Sequence, residues 1–132
     1  MAEKNECEDG KCLVCATGKR KGMCRKEGVT YEIICCECRD KYIGETGRSA
    51  RARTSEHMND LKMKRESSVL WRHCKEKHEG KIVNFKCDVR NVYGQDATLR
   101  QIAEAVDIRR EGASINNKTE WNNTNLPRLA VE

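Results

Sequence analysis

The residues with the most chemistry in this chain are sulfur and imidazole. Nine cysteines stand at Cys7, Cys12, Cys15, Cys24, Cys35, Cys36, Cys38, Cys74 and Cys87, seven of them before residue 40. Cys12–Cys15 and Cys35–Cys38 are each a CxxC, a spacing that lets two thiolates meet one tetrahedral ion at about 2.3 Å without strain. The cysteine count is odd and the N-terminus is polar, with no apolar leader. Both facts argue against a secreted disulfide scaffold and for a reducing compartment, where clustered thiols more often hold zinc. For Cys12 and Cys15 the nearest further ligands are Cys7 and Cys24. The alternatives are a site joining the two CxxC pairs, or no metal. For Cys35 and Cys38, His73 and His78 supply a second pair within zinc-finger spacing; the alternative is two solvated helix histidines. Cys74 and Cys87 stand alone and are expected to pack as small apolar groups.

A second set of residues suits phosphoryl chemistry. Hydrolysis of a phosphodiester needs a positioned water, charge stabilisation on the phosphate and help for the leaving oxygen. Arg53 offers a planar fork of donors that matches phosphate oxygens. Glu104 can hold a divalent ion such as Mg²⁺ or Mn²⁺, which commonly uses few protein carboxylates, several waters and the substrate phosphate. Tyr31 and Tyr42 are phenols that could position water, although a free pKa of about 10 makes phenol a poor base. His57 follows Arg53 by four residues and shares its helix face. Read without context, His57 is equally a packed helix histidine and Glu104 an ordinary solvated carboxylate.

The charge distribution is compatible with that chemistry. The net charge is +5, and residues 48–77 hold nine basic and four acidic residues, an excess that equals it. A solvated helix face and a phosphate-backbone surface are both open readings of such a segment. Arg48 and Arg51 lie within it and are candidate DNA contacts.

Several elements must position these groups. The run from Gly28 to Ile34 is rich in β-branched residues and reads as a strand; residues 41–44 read as a second, making a hairpin. Gly47 reads as a breaker before a helix that starts near Ser49. Its inward stripe is Ala50, Thr54, His57, Met58 and Leu61. A second helix is expected over about 67–78, with Val69, Leu70, Trp71 and Cys74 as its apolar residues. A third strand is expected over 82–92. Asp96 reads as the N-cap of a helix over about 97–110 whose buried stripe is Leu99, Ile102, Ala103 and Val106. No run of eighteen apolar residues exists, so no transmembrane helix and no membrane partner are expected. Only 37% of the 132 residues are hydrophobic, so zinc would supplement a thin core.

Tyr31 at the end of Val29-Thr30-Tyr31, then Tyr42-Ile43-Gly44, Arg53, His57 and Glu104, resemble the GIY-YIG endonuclease family over roughly residues 28–117. The stretch Tyr42-Ile-Gly-Glu-Thr-Gly-Arg48, the pair Glu56-His57, Ile115-Asn116-Asn117 and Glu120-Trp121-Asn122 are similar to the branch found in Penelope-like retroelements. Gly28 stands one position earlier than the family's usual glycine. The resemblance implies an α/β fold with a small three-stranded, mainly antiparallel sheet flanked by helices. It implies a metal-dependent DNA endonuclease that nicks DNA for retroelement insertion. Tyr31 would act as base, Tyr42 orient water or phosphate, Arg53 stabilise the phosphate and Glu104 carry the divalent ion. Asn116 matches the family's late asparagine, which could touch phosphate or fix the last loop. The branch also carries a Cys pair between its Tyr motifs and a His pair downstream. Its partners would be DNA and the reverse transcriptase part of the same polyprotein, in a nuclear or cytoplasmic setting.

The expected organisation is a Cys-rich zinc-binding module over 1–27, a nuclease domain over 28–118 and a tail over 119–132. The rival readings are a non-catalytic zinc-stabilised DNA-binding module on a nuclease scaffold, and a zinc-stabilised protein-interaction domain.

Overall fold

The β-branched run after Gly28 is paired on both sides. In a computed structural model describing residues 12–19 and 22–116, β1 (Glu27–Cys35) lies between β2 (Lys41–Ser49) and β3 (Phe85–Val92). Both pairings are antiparallel. Four helices flank this sheet: α1 (Leu13–Thr17), α2 (Ala50–Lys62), α3 (Val69–Lys77) and α4 (Ala97–Glu111). The architecture is therefore the expected α/β one, a three-stranded antiparallel sheet with helices around it. Among the described residues no helix is long and apolar enough to cross a membrane. Cys7 and residues 117–132, with Trp121, lie outside the described residues.

Strand alternation sorts the sheet into two unlike faces. Val29, Tyr31, Ile33 and Cys35 of β1 join Tyr42, Phe85, Cys87 and Val89 in the main core, with Leu61 of α2 and Leu70, Trp71 and Cys74 of α3. Val14 and Cys15 of α1, and Cys24 of the short 3-10 turn at Met23–Arg25, belong to that same core. Thr17 accepts a hydrogen bond from the Cys87 amide at 2.9 Å, fixing α1 on β3. Cys74 and Cys87 are buried, as their isolation suggested.

Helix boundaries follow their caps. Ser49 accepts from the Ala52 amide, Ser68 from Trp71 and Asp96 from Leu99, each at 3.0 Å, which begins α2, α3 and α4 respectively. The stripe expected for α2 is correct, with Ala50, Thr54, His57 and Leu61 buried and Met58 packed beside them. Gly47 does not break β2, which runs on to Ser49. Gly28 adopts φ +68° where the β1–β2 register shifts, and a Cβ there would lie 1.9 Å from the Gly94 carbonyl oxygen. The bulge accounts for a glycine at position 28.

The expected buried stripe of α4 is overturned. Leu99 and Val106 are 48% and 37% exposed, while the helix buries Arg100, Asp107 and Ile108. The reason is the sheet face it meets. Glu32, Glu45 and Arg90 project there, with Ile43 as the apolar anchor for Ile108 and Ala113. Arg100 donates to Glu45 at 2.6 Å and to the Gly94 carbonyl at 3.1 Å. Arg90 pairs with Glu32, Asp107 and Glu111 at 2.7, 3.3 and 3.3 Å. Charge complementarity therefore selects the helix face that docks.

The chain beyond α4 closes the open edge of β2. The Ile115 amide donates to the Lys41 carbonyl at 2.9 Å. Asn116 accepts from the Ile43 amide at 2.9 Å and donates to the Ile43 carbonyl at 3.0 Å, so one side chain imitates a strand residue. Asn116→Ala leaves both Ile43 groups without this partner in a buried place. It should lower unfolding free energy by about 1–3 kcal/mol in urea titration; an unchanged midpoint would remove this role.

Candidate functional site

The first cluster is built by the β1–β2 register and the start of α2. Tyr31 pairs with Gly44, and its ring lies across that glycine. A Cβ on Gly44 would stand 2.5 Å from the Tyr31 hydroxyl, so any other residue there displaces the phenol. Tyr42 lies beside it, ring centroids 6.3 Å apart. His57 meets both rings edge-on, at 5.8 and 5.3 Å. Its Nε2 shares a hydrogen bond of 2.9 Å with the Tyr31 hydroxyl. Arg53, one turn earlier on α2, lies near enough for its charge to act on the same phenol. Four of the expected site residues are thus brought together.

Burial sets their protonation. Tyr31 is fully buried, and burial, reinforced by the Tyr42 phenol, holds its pKa well above the ordinary value against the opposing pull of Arg53. Burial and then the Arg53 charge push His57 down to about 4. The pair is a neutral phenol on a neutral imidazole at pH 7.

A carboxylate that spacing alone did not single out completes the surface. Glu56 receives Arg48 through two contacts, at 2.7 and 2.8 Å, and Arg53 through one at 2.9 Å. The hydrogen bonds of Arg48 and Arg53 lower its pKa to about 2. The Arg53-x2-Glu56 spacing is the sequence signal that finds it, since residues three apart on a helix are neighbours. Arg51 is half-buried on α2, with its carbonyl accepting from Thr54 at 3.3 Å. Glu104 is half-buried on α4, one turn after Arg100 and one before Ile108. Asn116 is 4% exposed, with its amide engaged by Ile43, on the β2 edge rather than on an open surface.

The second cluster is a metal-ligand set. Cys35 ends β1 and Cys38 lies in the hairpin turn; His73 and His78 lie within and just after α3. Cys35 Sγ is 3.4 Å from His78 Nε2, Cys38 Sγ is 3.4 Å from His73 Nε2, and the two Nε2 atoms are 3.3 Å apart. A tetrahedron with metal–ligand lengths of about 2.0–2.3 Å has edges of about 3.3–3.8 Å, so these separations fit zinc. Asp40 faces the other nitrogen of His73 at 3.8 Å, placed for the outer partner that orients a ligating histidine. Spacing did not reveal Asp40, because it belongs to the turn that the hairpin closes.

The third cluster is Cys12, Cys15 and Cys24, whose sulfurs all lie within 4.8 Å of one another. Burial, then hydrogen bonds from Cys15 and Cys12, push the Cys24 thiol up. A cation would reverse that cost. The sulfurs gather as expected, and Cys7, the fourth expected ligand, lies outside the described residues. Both clusters can hold a metal such as zinc.

Comparison with protein families, curated proteins and solved structures returns no match.

Elemental analysis of protein purified without chelator should find zinc, up to two ions per chain. Cys38→Ser replaces an exposed ligand with little packing loss, so it should remove one equivalent and lower the melting temperature. Protein free of zinc would remove both metal assignments.

Proposed function

We propose that the chain is a divalent-metal-dependent DNA endonuclease domain of GIY-YIG type, stabilised by zinc. The observation that carries this reading is the convergence of Tyr31, Tyr42, Arg53 and His57 where the hairpin meets α2. An arginine and two phenols around a neutral imidazole are what a phosphodiester needs for charge stabilisation and water positioning. The resemblance to the Penelope-like branch adds DNA as substrate, nicking for retroelement insertion as purpose and a reverse transcriptase module as partner.

The residues divide the work by their charge states. Arg53 is the permanent cation and takes the phosphate oxygens. Tyr31 starts protonated, so it cannot begin as a base. It accepts a proton from water only as its own proton passes to His57 Nε2, 2.9 Å away. Tyr42, buried beside it, is assigned to orient the water or phosphate. On the resemblance, Glu104 is the carboxylate we assign to Mg²⁺ or Mn²⁺, although its helix packs on the sheet face opposite Tyr31 and Tyr42. A divalent ion held there would supply charge neutralisation for phosphodiester cleavage. Arg48 and Arg51 extend the basic surface along the DNA backbone.

One observation favours the rival reading of a non-catalytic DNA-binding module: Tyr31 has no exposed surface. A nicking assay on supercoiled plasmid, with and without Mg²⁺, divides the two. Under the nuclease reading Glu104→Ala abolishes Mg²⁺-dependent nicking without unfolding the domain. Arg53→Ala slows it by about 10²–10³, the scale of losing one transition-state donor. Binding without nicking by the unaltered protein favours the module. Full nicking by the Glu104 variant removes its metal role.

A further inference from the structure

Glu56 holds two cations near the buried tyrosine, the exposed Arg48 and the half-buried Arg53. Arg48 presents its fork to the two carboxylate oxygens, and Arg53 reaches Oε1 from the other side. This bidentate arrangement is the one arginine uses for phosphate as well as carboxylate. Behind it lies the fully buried Tyr31, whose phenol feels the Arg53 charge. We propose that Glu56 is the internal occupant of a phosphodiester-binding position formed by Arg48 and Arg53, displaced when nucleic-acid backbone arrives. This rests on the nuclease reading above and adds a gate to it.

Three features support displacement rather than permanent structure. The Glu56 side chain is 42% exposed and that of Arg48 is 59% exposed. Exposed ion pairs contribute only about 0–1 kcal/mol, so a phosphate can compete for these arginines. Glu56 also sits next to His57, which hydrogen-bonds Tyr31, and Arg53 holds Glu56 while its charge acts on Tyr31. When phosphate takes the guanidinium of Arg53, the cation whose charge acts on Tyr31 changes partner. Arrival of substrate and opening of the site thereby become one event. Asp60 and Arg65 form a second exposed pair at the end of α2, at 3.0 Å, far from the tyrosines in sequence and without such a link.

That second pair supplies the control. Glu56→Gln and Asp60→Asn each add one unit of positive charge on the same helix. Affinity for a fluorescent DNA duplex, measured without added Mg²⁺, should rise roughly five-fold more for Glu56→Gln than for Asp60→Asn, the worth of one exposed ion pair. The extra gain should vanish when Arg48→Ala is combined with Glu56→Gln. Equal gains in the two single variants, or weaker binding by Glu56→Gln, overturn the gate while leaving the nuclease reading intact. No measurable DNA binding by the unaltered protein or any variant overturns both.

Discussion

The contact on which the site depends is the face of Tyr31 laid over Gly44. A β-pair fixes which residue stands opposite which, and only glycine leaves room for the ring at this position. With the phenol held flat, its hydroxyl points to where α2 begins. Because β2 runs directly into the Ser49 cap, the first two turns of α2 are fixed against that hydroxyl. His57 then meets that oxygen, and Arg53, one turn earlier, brings its charge to bear on the same phenol. A one-residue slip in the hairpin would move Tyr31 to the other face and dismantle the cluster.

The register needs support, because the hairpin tip carries little apolar surface. Cys35, Cys38, His73 and His78 converge at that tip and tie it to α3. Four donor atoms this close, two of them imidazole nitrogens, are spaced so that they could share one cation. The Cys12, Cys15 and Cys24 cluster includes Cys24, which leads into the start of β1, the strand that Cys35 ends. Val14 and Cys15 pack with residues of β1 and β3, so a metal there would stabilise the sheet as well as its own short helix.

Much of this was legible because it depends on local spacing. The CxxC pairs, the His73–His78 interval and the α2 stripe are short-range patterns, and each predicted a neighbourhood that the fold provides. Gly28 was harder to read, since its bulge is defined by a close approach to Gly94, more than sixty residues away. Asn116 was ambiguous for the same reason: an asparagine that completes a strand edge cannot be told from one that meets a ligand until its partner, Ile43, is placed. Glu56 was visible within a motif, but its grip on two arginines needed the β2–α2 junction.

The helix that carries Glu104 was misread, and the error is instructive about what docks it. Leu99, Ile102, Ala103 and Val106 form a sound helical stripe, and apolar burial would turn that stripe inward. The sheet face opposite is charged, so the inward face is the one with Arg100 and Asp107. Paired charges in such a place add little net stability, because desolvation offsets their attraction. What they fix is position. Arg100 anchors the first turns of α4 to β2 through Glu45, and Arg90 anchors the last turns through Asp107 and Glu111. Glu104 lies between these two anchors on the same helical face, half-buried. An apolar seam would have let the helix rotate with modest loss, whereas two directional ion clusters resist rotation and hold the carboxylate between them at a fixed height on the sheet.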